Sequence, residues 1–500
     1  MERNAIKDIA ESPTRFFCGS CQDNKGINRE IIVLFLRFCL FITYFYDLYF
    51  RIFLMQTSLK IAIVGSGLVG SLLAIYLKKA GHTVHVYDRS PDIRKINFSG
   101  RSINLAMSNR GWKALDGVGV GDAVREIAIP MDKRAIHLVD KLNFQNYGQE
   151  GESIYSISRG TLNRKMIDLA EEAGTVFYFE QKIWDVTLSD ATLHIGESER
   201  GEWEEKKYDM VFGADGAFSR IRHRMQRQSM FNYSQEFLNM GYKELNIPAN
   251  ADATHKLDKN SFHIWPRGEY MLIALPNLDG SFTCTLFMPF EGENSFASLT
   301  DRKMVEDFFE KNFPDSIEVI PKLAEDFFKN PTSTLVTMKC FPWTYEDKIA
   351  LIGDACHAIV PFYGQGMNAG FEDISVLYEM IENYGDDWKK IFSEYQISRK
   401  PNADAIAELS YRNFMEMSTK TADEKFLLQK KIEKAFSDKY PEKWIPLYSR
   451  VTFSDRPYAE ALAIGDFQNG IMEEILKIEN IESIWNTPEI DSKILELLEK

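Results

Sequence analysis

From Leu59 the chain alternates short apolar runs with amphipathic stretches, each closed by a glycine. The run LKIAIV before Gly65 predicts a buried parallel strand. Gly70–Ala80 has the 3.6-residue period of a helix laid on a sheet, and Gly81 stops it. HTVHVYD then predicts a second strand ending at Asp88, which completes one βαβ unit. Thr161–Ala173 is a second amphipathic helix, ended by Gly174. Alternating stretches follow at Thr175–Phe179 and Ala191–Ile195, then an apolar strand from Tyr208 to Gly213. Between 230 and 340 several strand-like runs, notably Tyr270–Leu275 and Ser281–Met288, are separated by turn signals such as Asn277–Gly280. They predict an antiparallel sheet. Ile349–Gly353 is one more buried strand, a helix begins at Gly366, and from about 385 the pattern is helical. The chain thus divides into an extension (1–57), a discontinuous α/β domain (58–230 with 341–384), an inserted sheet (231–340) and a helical region (385–500).

Residues 1–57 do not share this pattern. Ile31–Leu54 is apolar and long enough to span a bilayer, but carries Arg37, Asp47 and Arg51. The favoured reading takes Met55 as the true first residue and the protein as cytoplasmic; the alternative is an anchor at residues 31–54. A net charge of -14 argues against a nucleic-acid partner. Six cysteines in 500 residues are too few for a disulfide framework. Cys18 and Cys21 have CxxC spacing without a second pair at zinc spacing, so no metal site is expected.

Gly65-Ser-Gly67-Leu-Val-Gly70 is GxGxxG between a strand and a helix. Its glycines allow a tight turn, approach of the backbone to a pyrophosphate, and close helix packing. The helix N-terminus then offers N–H groups to phosphate. Asp88, at the end of the next strand, suits the hydroxyls of an unphosphorylated ribose, as in FAD or NAD. A second glycine-rich element, Gly353-Asp354 through Gly364-Gln-Gly366 to Asp373, brings a second helix N-terminus far down the chain. That element favours FAD, since its amides would stabilise charge on a reduced flavin. Gly213-Ala-Asp215-Gly216 is a third element at a strand end.

These elements in this order resemble the single-component FAD-dependent aromatic hydroxylases. Longer strings narrow the resemblance to the kynurenine 3-monooxygenase family: Gly100–Ala106, Ile129–Met131, Tyr155–Arg159, His263–Arg267, Ser281–Phe290, Pro361–Asp373 and Val451–Ser454. It runs from about Lys60 to about Tyr458. It implies an α/β chain (α+β overall) with a Rossmann-like FAD-binding domain, an antiparallel-sheet substrate domain and a C-terminal helical region. It implies FAD as cofactor, NADPH and O2 as co-substrates, and hydroxylation of L-kynurenine without a catalytic side chain or metal. Carried over position by position, the substrate's amino-acid end falls to Arg134, Tyr147, Asn413 and Tyr448. FAD falls to Val69, Tyr87, Asp88, Arg89, Ser90, Ala106, Arg159, Ile183, Asp354, Met367 and Asn368, beside Gly65, Gly67, Gly70 and Asp215 from the residues themselves. Phe414 stands where relatives often have tyrosine. Phe262, Trp265 and Phe287 are candidates for the ring pocket, and His357 for structural support of the flavin loop. A hydroxylase of another anthranoyl or phenolic compound and a membrane-tethered flavin sensor are the rival readings. A halogenase would need a Trp-x-Trp-x-Ile-Pro pattern, of which only Trp444-Ile-Pro446 occurs.

Overall fold

The computed structural model describes residues 57–96, 104–147, 151–419 and 423–500. The expectations for Cys18, Cys21, residues 31–54 and Met55 lie outside the described residues. The first βαβ unit is β1 (Lys60–Val64), α1 (Leu68–Lys79) and β2 (Thr83–Tyr87), with β1 and β2 parallel and in register. They sit in a six-stranded sheet with spatial order Thr344–Tyr345, Ile349–Leu351, Met210–Gly213, β1, β2, Val176–Tyr178. Only the outermost pair, at Thr344 and Ala350, is antiparallel. Four of the five β1 residues are buried because helices cover the sheet. One layer is α1 packed against helices Arg159–Glu172 and α3 (Gly366–Tyr384).

A small three-stranded sheet contains β3 (Asn104–Met107), Ile154–Ser158 and Ile129–Met131, and helix α2 (Asn109–Gly117) leaves directly from β3. The second large sheet has seven strands in the order Ser333–Phe341, Asn232–Ile247, Phe282–Pro289, Tyr270–Pro276, Ser261–Arg267, β4 (Lys133–His137), Leu142–Asn146. The predicted antiparallel sheet of residues 231–340 is therefore extended by two strands from much earlier in the chain. β4 joins it by a parallel pairing, Lys133 opposite Ser261. One face of this sheet packs on helices within 302–329 through Phe309, Phe313 and Phe327. The other faces the α/β domain.

After α3 the chain is helical. Helix α4 (Trp388–Thr419) packs on α3, and α5 (Leu447–Thr452) packs on Tyr458–Ile475, while Glu424–Lys439, Tyr458–Ile475 and Pro488–Leu498 enclose a cluster around Trp444, Phe436 and Met472. No helix among the described residues is long and apolar enough to cross a membrane.

Candidate functional site

A cavity of about 2360 Å3 runs from the C-terminal ends of β1 and β2, past the seven-stranded sheet, to α5. At the β1 end, Gly65 has φ +111, and a Cβ there would stand 2.4 Å from the Ala214 carbonyl oxygen. A Cβ at Gly70 would stand 2.0 Å from the Gly65 carbonyl oxygen, so this glycine serves helix–strand packing. At Gly67 nothing lies within 4 Å, and the residue opens on the cavity. Asp88 accepts from Ser66 N and Ser66 Oγ, both at 2.8 Å, and from Ser90 N at 2.8 Å. Its carboxylate therefore orders both the glycine loop and the turn after β2. Replacing Gly65 by alanine is expected to give purified protein without flavin colour. An ordinary ratio of flavin absorbance to protein in that variant would rule out this loop as the cofactor cradle.

Val69, Tyr87, Arg89, Ser90, Ala106, Arg159, Ile183, Asp215, Asp354 and Met367 line the same cavity. Asp215 accepts from Arg220 N at 2.6 Å through one oxygen, while its other, buried oxygen has no partner. Burial pushes its carboxyl up, against the bonds from Ser219 and Arg220. An orphaned buried acceptor, a bare glycine loop and the open first turn of α3 fit a dinucleotide with hydroxyl donors and a pyrophosphate. Asn368 behaves differently from its neighbours. Its side chain is fully buried, donating to Ala106 O (2.9 Å) and Gly364 O (3.0 Å) and accepting from Ser108 N (3.0 Å). It ties the cradle together from behind, leaving only the helix amides for a cofactor.

The other end of the cavity gathers the expected substrate residues. The Arg134 guanidinium carbon lies 4.7 Å from the Tyr147 ring centroid and 4.3 Å from that of Tyr448. The two rings stack on each other at 5.5 Å, and Tyr363 stacks on Tyr448 at 5.6 Å. Arg134 forms no ion pair with a carboxylate among the described residues. Burial raises the Tyr147 hydroxyl pKa, opposed by Arg134, so the phenol stays a proton donor at neutral pH. Asn413 lines the cavity from α4 and donates to Phe362 O at 2.7 Å. Phe414 packs on Phe362, with centroids 4.8 Å apart.

Phe262 and Phe287 line the apolar wall, with Ile264, Met271 and Ile273. Trp265 does not. It is fully buried on the opposite face of its strand, where its indole N–H donates to Asp315. Side chains three apart on a strand point to opposite faces, so Phe262 and Trp265 cannot share a pocket. Sequence reasoning missed Tyr363, Ile264, Met271 and Ile273. Tyr363 lay inside a motif already singled out, and Ile264 shares the strand parity of Phe262. His357 bonds Asp373 at 2.5 Å beneath the loop at Gly353, which fits the expected structural role.

The family described as "FAD binding domain" matches residues 58–410. Kynurenine 3-monooxygenase of Flavobacterium johnsoniae is 94% identical over 446 residues, covering 89% of this chain and all of that protein. The chain belongs to the kynurenine 3-monooxygenase family. The same enzyme of Flavobacterium psychrophilum is 80% identical (89% of this chain, 99% of that one), and that of Dictyostelium discoideum 43% (83% and 93%). Among solved structures, 2-methyl-3-hydroxypyridine-5-carboxylic acid oxygenase superposes with a TM-score of 0.61 at 20% identity (73% of this chain, 94% of that one). PqsL of Pseudomonas aeruginosa, solved with 2-aminobenzoylacetate, gives 0.57 at 17% (72% and 97%). These two share the fold. FAD is accordingly the cofactor of this chain, and a small molecule its substrate.

Proposed function

We propose that this chain hydroxylates L-kynurenine at ring carbon 3, consuming NADPH, a proton and O2 and releasing 3-hydroxykynurenine, NADP+ and water. The observation that carries this reading is Arg134, held against Tyr147 and Tyr448 at the opposite end of the cavity from the glycine cradle. A guanidinium with no carboxylate partner among the described residues, facing a largely apolar cavity, is a seat for a small carboxylate. Tyr147 and Tyr448 add phenol donors beside it, and Asn413 adds an amide. Phe262, Phe287, Met271 and Ile273 give a flat aromatic amine an apolar slot that excludes water.

Bound FAD supplies the redox chemistry, taking reducing equivalents from NADPH and activating O2. The residues of this chain supply placement. Arg134 fixes the carboxylate end, so the aryl amine end extends along the apolar wall toward the cradle. The carbon ortho to the amine is electron-rich and is the position that accepts oxygen. The glycine loop, the open first turn of α3 and Asp215 hold the cofactor's polar parts.

The test is NADPH consumption by the FAD-loaded protein with and without L-kynurenine, with the product weighed. Acceleration with a product heavier by one oxygen atom supports the reading. Acceleration that yields only hydrogen peroxide makes kynurenine an effector, and no response transfers the reading to another anthranoyl or phenolic substrate.

A further inference from the structure

Helix α2 begins at the cofactor cradle and ends its work at the substrate clamp. Its first residues follow Ala106, which lines the cavity, and Ser108 N is fixed by Asn368. From its first residue α2 grips the segment 451–456 that follows Tyr448. Asn109 Nδ2 donates to Phe453 O at 2.7 Å, and Lys113 pairs with Asp455 at 3.2 Å. Between them Arg110, whose side chain is completely buried, donates to Val451 O and Arg456 O and lies over the Tyr458 ring at 3.9 Å. Val451 is in the last turn of α5, where carbonyls lack intrahelical partners and a cation is favourable. Arg110 Nε also pairs with Glu372 at 2.9 Å. Glu372 pairs with Arg399 at 2.7 Å, and Arg399 with Asp373 at 2.8 Å. Asp373 accepts from Gly353 N at 3.2 Å, next to Asp354. A continuous buried chain of charged contacts therefore joins the carbonyls behind Tyr448 to the loop that lines the cofactor cavity.

Burying a guanidinium is costly unless every direction is satisfied. Here each direction is spent on holding two backbone carbonyls and one carboxylate, in a geometry that lysine cannot reproduce. We propose that Arg110 is a positioning residue: it sets where Tyr448 stands against Arg134 and ties that position to the Gly353–Asp354 loop. The inference rests on the reading of Arg134 and Tyr448 as the substrate clamp.

The test compares Arg110→Lys and Asn109→Ala with the parent enzyme, all loaded with FAD, using L-kynurenine and NADPH. A misplacement on the order of 1 Å costs up to about 100-fold in rate. In Arg110→Lys, kcat/KM is expected to fall roughly 10- to 100-fold, mainly through KM, with FAD retained and more of the NADPH diverted to hydrogen peroxide. Asn109→Ala, altered at the exposed edge of the same contact, shifts KM the same way by less, and carries the test where Arg110→Lys does not fold. The deciding readout is the double variant with Arg134→Ala. Because Arg110 acts through the clamp, its effect on KM is absent once Arg134 is gone. Additive effects, or an unchanged KM in flavin-loaded Arg110→Lys and Asn109→Ala, overturn the inference. A parent enzyme that ignores kynurenine instead overturns the substrate assignment.

Discussion

Replacing Arg134 by alanine is expected to raise the L-kynurenine requirement by about 100- to 1000-fold, while FAD stays bound. Truncating one partner of a desolvated charge pair costs about 2–5 kcal/mol, and ~3–4 kcal/mol corresponds to that range. Arg134 is packed against two tyrosine rings at 4.7 and 4.3 Å, so little of its surroundings can rearrange to replace it. The glycine cradle lies at the other end of the cavity, and none of its hydrogen bonds involves β4. Retained flavin with a collapsed substrate response is therefore the expected pattern. Arg134→Lys keeps the charge but loses the paired N–H fork, so its effect falls between parent and alanine. Kynurenine titration of the flavin absorbance checks both variants. An affinity unchanged by Arg134→Ala would remove the carboxylate seat from this site.

The sequence made some of this arrangement legible for local reasons. Glycine spacing and a 3.6-residue period are short-range signals, and β1–α1–β2 lies where they predict. Asp88, Asp215 and Asp354 each follow a strand of the parallel sheet, so their common address could be inferred from strand ends alone. Trp265 takes the core position that aromatics in a sheet more often take, and its odd separation from Phe262 along the strand already sets the two on opposite faces. Other features depend on contacts between distant segments. β4 pairs with Ser261–Arg267 across more than a hundred residues, and Leu142–Asn146 is exposed throughout, so no alternation marks it. Nothing in the sequence singles out Arg110, and only tertiary packing shows it buried against the Tyr458 ring. Asn368 comes to the cofactor only through the family resemblance. Its actual partners are backbone groups at Ala106, Ser108 and Gly364.

Asp373→Asn is expected to destabilise the enzyme by about 3–5 kcal/mol, lowering Tm by roughly 3–5 °C. Asp373 is fully buried and accepts from His357 at 2.5 Å, Arg399 at 2.8 Å and Gly353 N at 3.2 Å. Burial alone would push its carboxyl up, but the His357 and Arg399 charges hold it below 3.8. Burial would likewise lower His357, yet the Asp373 charge and hydrogen bond raise it above 6.5. The asparagine leaves two cations facing a neutral amide, and His357 then loses its reason to be protonated. The pH dependence follows from the two directions. A raised histidine contributes stability that is whole below 6.5 and is lost as pH climbs through the folded value. A depressed aspartate contributes stability that is whole above 3.8 and is lost only as pH falls through its folded value. The pair therefore stabilises most between 3.8 and 6.5 and weakens on the alkaline side. Melting curves of the flavin-loaded parent and Asp373→Asn, taken from about pH 5 to about pH 9, should show a Tm gap that narrows as pH rises. The gap does not close, because Arg399 stays charged throughout. A gap independent of pH would mean that His357 is neutral at every pH tested. A gap below about 1 kcal/mol would mean that the buried network contributes little to holding the Gly353 loop.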